Sequence, residues 1–237
     1  ERDIVLSEIE SGEAQVVVGT HSVISQDVVF KALAMPIVDE EHRFGVNQRQ
    51  LLREKANSGV HSISMTATPI PRTLAITLYG ENTQVLNITT MPAGRKPIVT
   101  VAHSDYAKVF AAMNRQVMAG HQCYLVCPMI DDSDNEALAN VESVDAVFKK
   151  LKTWLEENNP TVTVDRITGD IKPETIRSRL NAFASGKTKI LVSTTIVEVG
   201  VNVPNATVMV ISNAERFGLA QLHQLRGRIG RGKTQSY

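Results

Sequence analysis

Cysteine is scarce in this chain of 237 residues: only Cys123 and Cys127 occur. On a strand they would share a face about 13 Å apart, at about 3.3 Å per residue, too far to bridge. No C-x-x-C pair or histidine cluster accompanies them, which excludes a zinc site of the usual spacing. The two read as buried thiols. Net charge is also missing, since Lys+Arg and Asp+Glu both number 25. There is no bulk polycation to advertise a nucleic-acid partner, although a local basic track could serve one. Aromatics make up 5%, and Tyr124 and Phe217 read as core rather than as platforms for bases. No run of 18 apolar residues and no signal-peptide pattern is present, so the expectation is a soluble, cytoplasmic protein without a membrane partner.

Hydrophobic residues account for 43%, enough for sizeable cores in one or two domains. Apolar strand patterns fall at 15–20, 34–38, 61–65, 84–88, 98–102, 122–126, 162–167, 189–193 and 207–211. Helical patterns fall at 46–55, 71–78, 105–119, 136–158, 173–184 and 219–225. The longest of these shows an apolar stripe at Val141, Val144, Val147, Phe148 and Leu151. Strands alternating with helices predict an α/β fold with parallel sheets flanked by helices. Met91-Pro92-Ala93-Gly94-Arg95-Lys96-Pro97 is the best linker, with two prolines, a glycine and two cations. It divides the chain into lobes at 1–92 and 93–237. The acidic stretch 131–136 reads as a solvated turn.

Asp39 and Glu40 end the strand Ala34-Met35-Pro36-Ile37-Val38, the position where α/β sheets bind ligands. Such a pair suits Mg²⁺: one carboxylate holds the hydrated ion and its neighbour orients an attacking water. Alone, the pair is equally compatible with a polar strand-to-loop junction. Three further blocks give it a context. Ser64-Met65-Thr66-Ala67-Thr68-Pro69 follows a second strand. Leu191-Val192-Ser193-Thr194-Thr195-Ile196-Val197-Glu198-Val199-Gly200-Val201-Asn202 follows a later one. Gln224-Leu225-Arg226-Gly227-Arg228-Ile229-Gly230-Arg231-Gly232 closes a locally basic C-terminal segment that includes Lys233.

Together these blocks resemble motifs II, III, V and VI of superfamily 2 helicases. The wording of Asp39 to Val46, Met65 to Leu74 and Gly218 to Arg228 is similar to the RecG family of branched-DNA helicases almost letter for letter. The transcription-repair coupling factor shares these strings. The linker 91–97 and Val126-Cys127-Pro128-Met129-Ile130 tilt the choice toward RecG. The resemblance covers essentially the whole chain. It implies two RecA-like lobes, the first truncated at its N-terminus, in an ATP-dependent motor that translocates on duplex DNA and remodels stalled forks and Holliday junctions. ATP and Mg²⁺ are the implied cofactors and DNA, gripped through its phosphates, the implied partner. A coupling translocase, or a module that kept the fold without catalysis, is the alternative.

The resemblance also implies roles. Asp39 would hold Mg²⁺ through water and Glu40 would activate the attacking water. Arg228 and Arg231 occupy arginine-finger positions, and their spacing would place both on one face of a helical turn. Gln224 would sense nucleotide, and Gly200 would permit a tight turn beside it. Asn202 replaces the family's Asp at a ribose-side contact, keeping an acceptor and losing the charge. His42, Thr66 and Thr68 would couple the nucleotide site to DNA. Thr20 and Thr194, at strand ends, would contact DNA phosphates. Thr168 departs from the family's His-Gly opening and receives no role.

One string invites a different assignment. Gly227 to Thr234 fits G-x-x-x-x-G-K-[ST], but a phosphate loop needs a strand before it and a helix after it. A helix is expected before Gly227. No such loop occurs among the 38 residues preceding Asp39. By resemblance the phosphate loop, an N-terminal motor segment and a wedge domain for junctions belong to sequence outside this chain, and the chain alone is expected not to turn over ATP.

Overall fold

The computed structural model describes residues 2–40, 44–56, 60–67, 72–128, 143–195 and 203–237. The chain divides into two units, Glu1–Asn87 and Ile88–Tyr237, where the sequence placed its break at 92/93. In the first unit α1 (Arg2–Ser11) precedes a short 3₁₀ turn at His21–Ile24. Then follow β1 (Ile37–Asp39), α2 (Val46–Lys55), β2 (Ile63–Met65) and α3 (Arg72–Tyr79). The two strands pair in parallel, with Ile37 opposite Ile63 and Asp39 opposite Met65. At the start of α2 the Gly45 amide donates to Gln48 Oε1 at 3.0 Å, satisfying one end group of the chain's entry into the helix.

Two expected strands of this region do not form. Residues 15–20 and 84–88 pair with no ladder, and Val16, Val18, Leu86 and Ile88 are exposed. β-Propensity reports fit to a pleated, half-buried surface rather than an intrinsic preference, and the described ladder of this unit contains only β1 and β2. α1 was not anticipated. It buries a single side chain, Ile9, which leaves little periodic signal in the sequence.

The second unit is built from α4 (Tyr106–Met118), β3 (Gln122–Val126), α5 (Val144–Asn158), β4 (Val164–Ile167), α6 (Pro173–Ala184), β5 (Ile190–Ser193), β6 (Ala206–Ile211) and α7 (Leu219–Arg226). Its four strands form one parallel sheet in the order β4-β5-β3-β6. Helix starts follow from sequence. Asp105 accepts a bond from the Ala107 amide, Ser143 accepts one from the Ala146 amide, and Pro173 occupies the first turn of α6, each a known start signal. The stripe position Val141 and the turn 131–136 lie outside the described residues.

All five residues of β3 are buried, and their alternation sorts the core into two layers. Cys123, Leu125 and Cys127 face α4 and α5 with Ile190, Val192 and Val208, closing on Met113, Val147 and Leu151. Tyr124 and Val126 face the other way with Leu191, closing on Phe183 of α6 and on Leu225 and Ile229 at the end of α7. Helices therefore cover both faces of the sheet, as parallel strands require. At the β6 edge the C-terminal residues continue the ladder. The Met209 amide donates to Tyr237 O and the Tyr237 amide to Thr207 O, both at 2.9 Å. Residues 98–102, expected as a strand, are irregular, but the Val99 amide donates to Ser236 O at 3.0 Å.

The cysteines are free and buried, as read from their spacing. Burial pushes the Cys123 thiol up to about 12. It pushes the Tyr124 phenol up to about 12 as well, against the opposing pull of Arg228 and Arg231. In the unfolded chain these groups ionise near about 8.5 and about 10. Raised folded values mean that stability is full below about pH 8.5 and is lost as pH rises toward about 12. Urea melts at pH 7 and about pH 10.5 should show this fall, and Cys123→Ala should make it shallower; an unchanged slope in that variant would contradict the buried-thiol account.

Candidate functional site

In the first unit the ladder brings the acidic pair beside the second motif. Because Asp39 pairs with Met65, Glu40 and Thr66 leave the same end of the two strands. Asp39 Oδ1 accepts the Glu40 amide at 3.0 Å, and the Asp39 side chain is exposed. Glu40 adopts φ +51°, the left-handed region that costs a non-glycine residue roughly 1–2 kcal/mol. Such outliers concentrate where function over-determines the backbone. Thr20 heads the 3₁₀ turn, with its hydroxyl 3.3 Å from Ser22 Oγ. A Cβ on Gly19 before it would stand 2.3 Å from Val23 Cγ1, so a side chain there would force Val23 to move. His42, Thr68, Gly200 and Asn202 lie outside the described residues.

In the second unit Ser193 and Thr194 follow one another at the C-terminal end of β5. Both hydroxyl oxygens are buried, and neither has a hydrogen-bond partner among the described residues. A buried hydroxyl without a partner costs about 1–3 kcal/mol, so among the described residues the strand end carries polar groups that the fold does not use. Thr194 was anticipated from its place at a strand end. Ser193 was not, although the hydroxyl pair closing an apolar run was the available signal.

Gln224, Arg228 and Arg231 gather around the end of α7. Leu225 and Ile229 are buried in the Tyr124 face of the sheet, which fixes the segment between them. Gln224 and Arg228 are half-buried. Arg231 Nε donates to Gly227 O at 3.3 Å. The two arginines do not share a helical turn, as their spacing suggested: α7 stops at Arg226. Gly230 then turns the chain at φ +70°. A Cβ on Gly230 would stand 2.9 Å from Ile98 Cγ1, and one on Gly232 would stand 3.0 Å from Pro204 O. The glycines of this string thus serve close packing, and α7 precedes it where a phosphate loop would need a strand. Burial first, then the charges of Arg228 and Arg95, lower the pKa of Arg231. Arg95 had been read only as a linker cation.

Residues 107–233 match the family model described as the helicase conserved C-terminal domain, more than half of the chain. The chain belongs to that family. ATP-dependent DNA helicase RecG of Staphylococcus aureus is 45% identical over 238 residues, which cover 100% of this chain and 34% of the relative. The chain thus spans about a third of the length of the curated relatives it matches. A solved structure of RecG bound to a three-way DNA junction superposes with a TM-score of 0.66 at 38% identity, covering 97% of this chain and 28% of that one. Saccharomyces cerevisiae Dbp5 bound to RNA and ADP BeF3 shares the fold at a TM-score of 0.57 and 13% identity, over 91% of this chain and 55% of its own. The helicase RecA-like fold and the resemblance to RecG expected from sequence both stand, and the coupling-factor alternative is not favoured.

Gly230→Ala should lower the melting temperature and shift the arginine loop, because it meets both the positive φ and Ile98. Adding Ile98→Ala should recover part of the loss. A double variant no more stable than Gly230→Ala alone would contradict the close-approach argument.

Proposed function

We propose that this chain forms part of the ATP-driven motor of a RecG-type DNA helicase, which acts in the cytoplasm and remodels stalled forks and Holliday junctions during recombination and repair. The observation that carries this reading is 45% identity to RecG over the whole chain. It is supported by an acidic pair on the parallel ladder of the first unit and a fixed arginine loop in the second.

Phosphoryl transfer asks a protein mainly for positioning and for charge neutralisation. Glu40 orients and activates the attacking water. Its backbone is set by the strained turn after β1, and its amide is tied to Asp39. Arg228 and Arg231 supply fixed, planar, permanently charged groups for phosphate oxygens, and Gln224 on the same helix reports nucleotide. Asp39 fits Mg²⁺. Its carboxylate is exposed, the Glu40 amide engages one of its oxygens, and the ion prefers one or two carboxylates with several retained waters. When bound, the ion neutralises charge on the phosphates. Thr20 and Thr194 hold DNA phosphates from the head of the 3₁₀ turn and the end of β5, contacts that position a strand. Thr66, Thr68 and His42 couple the two ligands. No phosphate-loop string precedes Asp39 in this sequence, so the chain alone is expected not to turn over ATP.

In a polypeptide extended upstream, Glu40→Gln should abolish ATP turnover, by at least about 100-fold on the scale of general-base loss, while ATP affinity stays unchanged. Steady-state hydrolysis and equilibrium nucleotide binding check this together. Unchanged hydrolysis would sink the Glu40 assignment.

A further inference from the structure

Residues 92–99 are fastened to the C-terminal segment of the second unit at four points. The Val99 amide donates to Ser236 O at 3.0 Å, and Gln235 Nε2 donates to Pro97 O at 2.8 Å. Gly94 lies against the Lys233 side chain, whose Cγ would be 3.5 Å from a Cβ at that position. Ile98 closes on Gly230, within the arginine loop itself. Between these anchors the Arg95 amide donates to Pro92 O at 3.2 Å and Gly94 takes φ +84°. A tight turn results, with the Arg95 side chain exposed at its tip.

We propose that Arg95 is a third arginine of a polyphosphate-binding cluster that it forms with Arg228 and Arg231. The turn is held to the loop that carries the other two, which delivers its charge within electrostatic reach of Arg231 while the side chain stays exposed. That delivery is felt electrostatically at Arg231, where Arg95 adds to the repulsion from Arg228. Converging like charges oppose one another until an anion arrives. A chain of adjacent phosphoryl groups concentrates enough negative charge to engage three guanidinium forks, each able to grip phosphate oxygens at two points. A DNA backbone spreads its charge along the strand instead. The proposal rests on the arginine-loop reading of Arg228 and Arg231 given above.

The test is calorimetric titration of the full chain with inorganic tripolyphosphate at low salt, and separately with a short duplex DNA. Arg95 is exposed, so R95A should melt like the parent. R95A should weaken tripolyphosphate binding about ten-fold, the scale of one charge-assisted bond. R95K should keep part of the affinity, since a point charge replaces the fork, and duplex binding should not change. If R95A binds tripolyphosphate like the parent while R228A loses it, the Arg95 assignment is overturned and the arginine-loop reading survives. If neither variant changes binding, or the parent chain binds no tripolyphosphate, both fall. Weakened duplex binding with tripolyphosphate binding intact in R95A would overturn the polyphosphate assignment.

Discussion

Burial of Leu225 and Ile229 against the Tyr124 face of the sheet is the contact on which the placement of the second unit's arginine loop depends. Each of these apolar side chains is worth about 1.5–3 kcal/mol when buried. They bracket Arg228 in sequence, so the energy that closes the core also fixes where the arginine loop begins. The loop cannot relax away from that position easily. Gly230 is pressed by Ile98 and Gly232 by the Pro204 carbonyl. Tyr124 completes the link from the other side: its ring packs on Phe183 at 4.7 Å, and its phenol feels Arg228 and Arg231. A residue that belongs to the core and the two arginines proposed to meet phosphate are therefore electrostatic neighbours.

The first unit achieves placement by different means. Its ladder is short, and what it fixes is register. Pairing Asp39 with Met65 sends the acidic pair and Thr66 out of the same strand ends. Glu40 then adopts a backbone that a carboxylate-bearing residue does not choose for itself. Local strain at the residue assigned to water activation, and buried hydroxyls at Ser193 and Thr194 with no partner among the described residues, are both features that folding alone does not reward. They accord with sites shaped for ligands, where sequence and local preference part company.

Much of this was legible from periodicity. β3, α2 and α6 occupy the expected residues, because their signals are local: the apolar run Cys123 to Val126 after Gln122, a helical stretch opened by Gly45, and a proline start. Residues 15–20, 84–88 and 98–102 misled for one shared reason. Apolar alternation reports that a segment suits a sheet, while ladder formation depends on a partner that no local window contains. The spacing of Arg228 and Arg231 misled differently, since three residues make one helical turn only if the helix continues, and Gly230 at positive φ ends that option. Asp39, Glu40 and the arginines were assigned through whole motifs rather than residue by residue. The sequence proposed no role for Arg95, because its turn is placed by tertiary hydrogen bonds, between Gln235 and Pro97 and between Val99 and Ser236, that leave no trace in linear sequence.

The proposed function makes this chain one part of an ATP-driven motor that does not turn over ATP by itself. Its most direct test is ATP hydrolysis by this chain and by a version extended upstream, each with and without branched DNA. The account predicts no turnover by the chain alone and DNA-stimulated turnover by the extended polypeptide. Turnover by the chain alone, persisting after contaminants are excluded, would contradict it and would return Gly227 to Thr234 to consideration as a phosphate site.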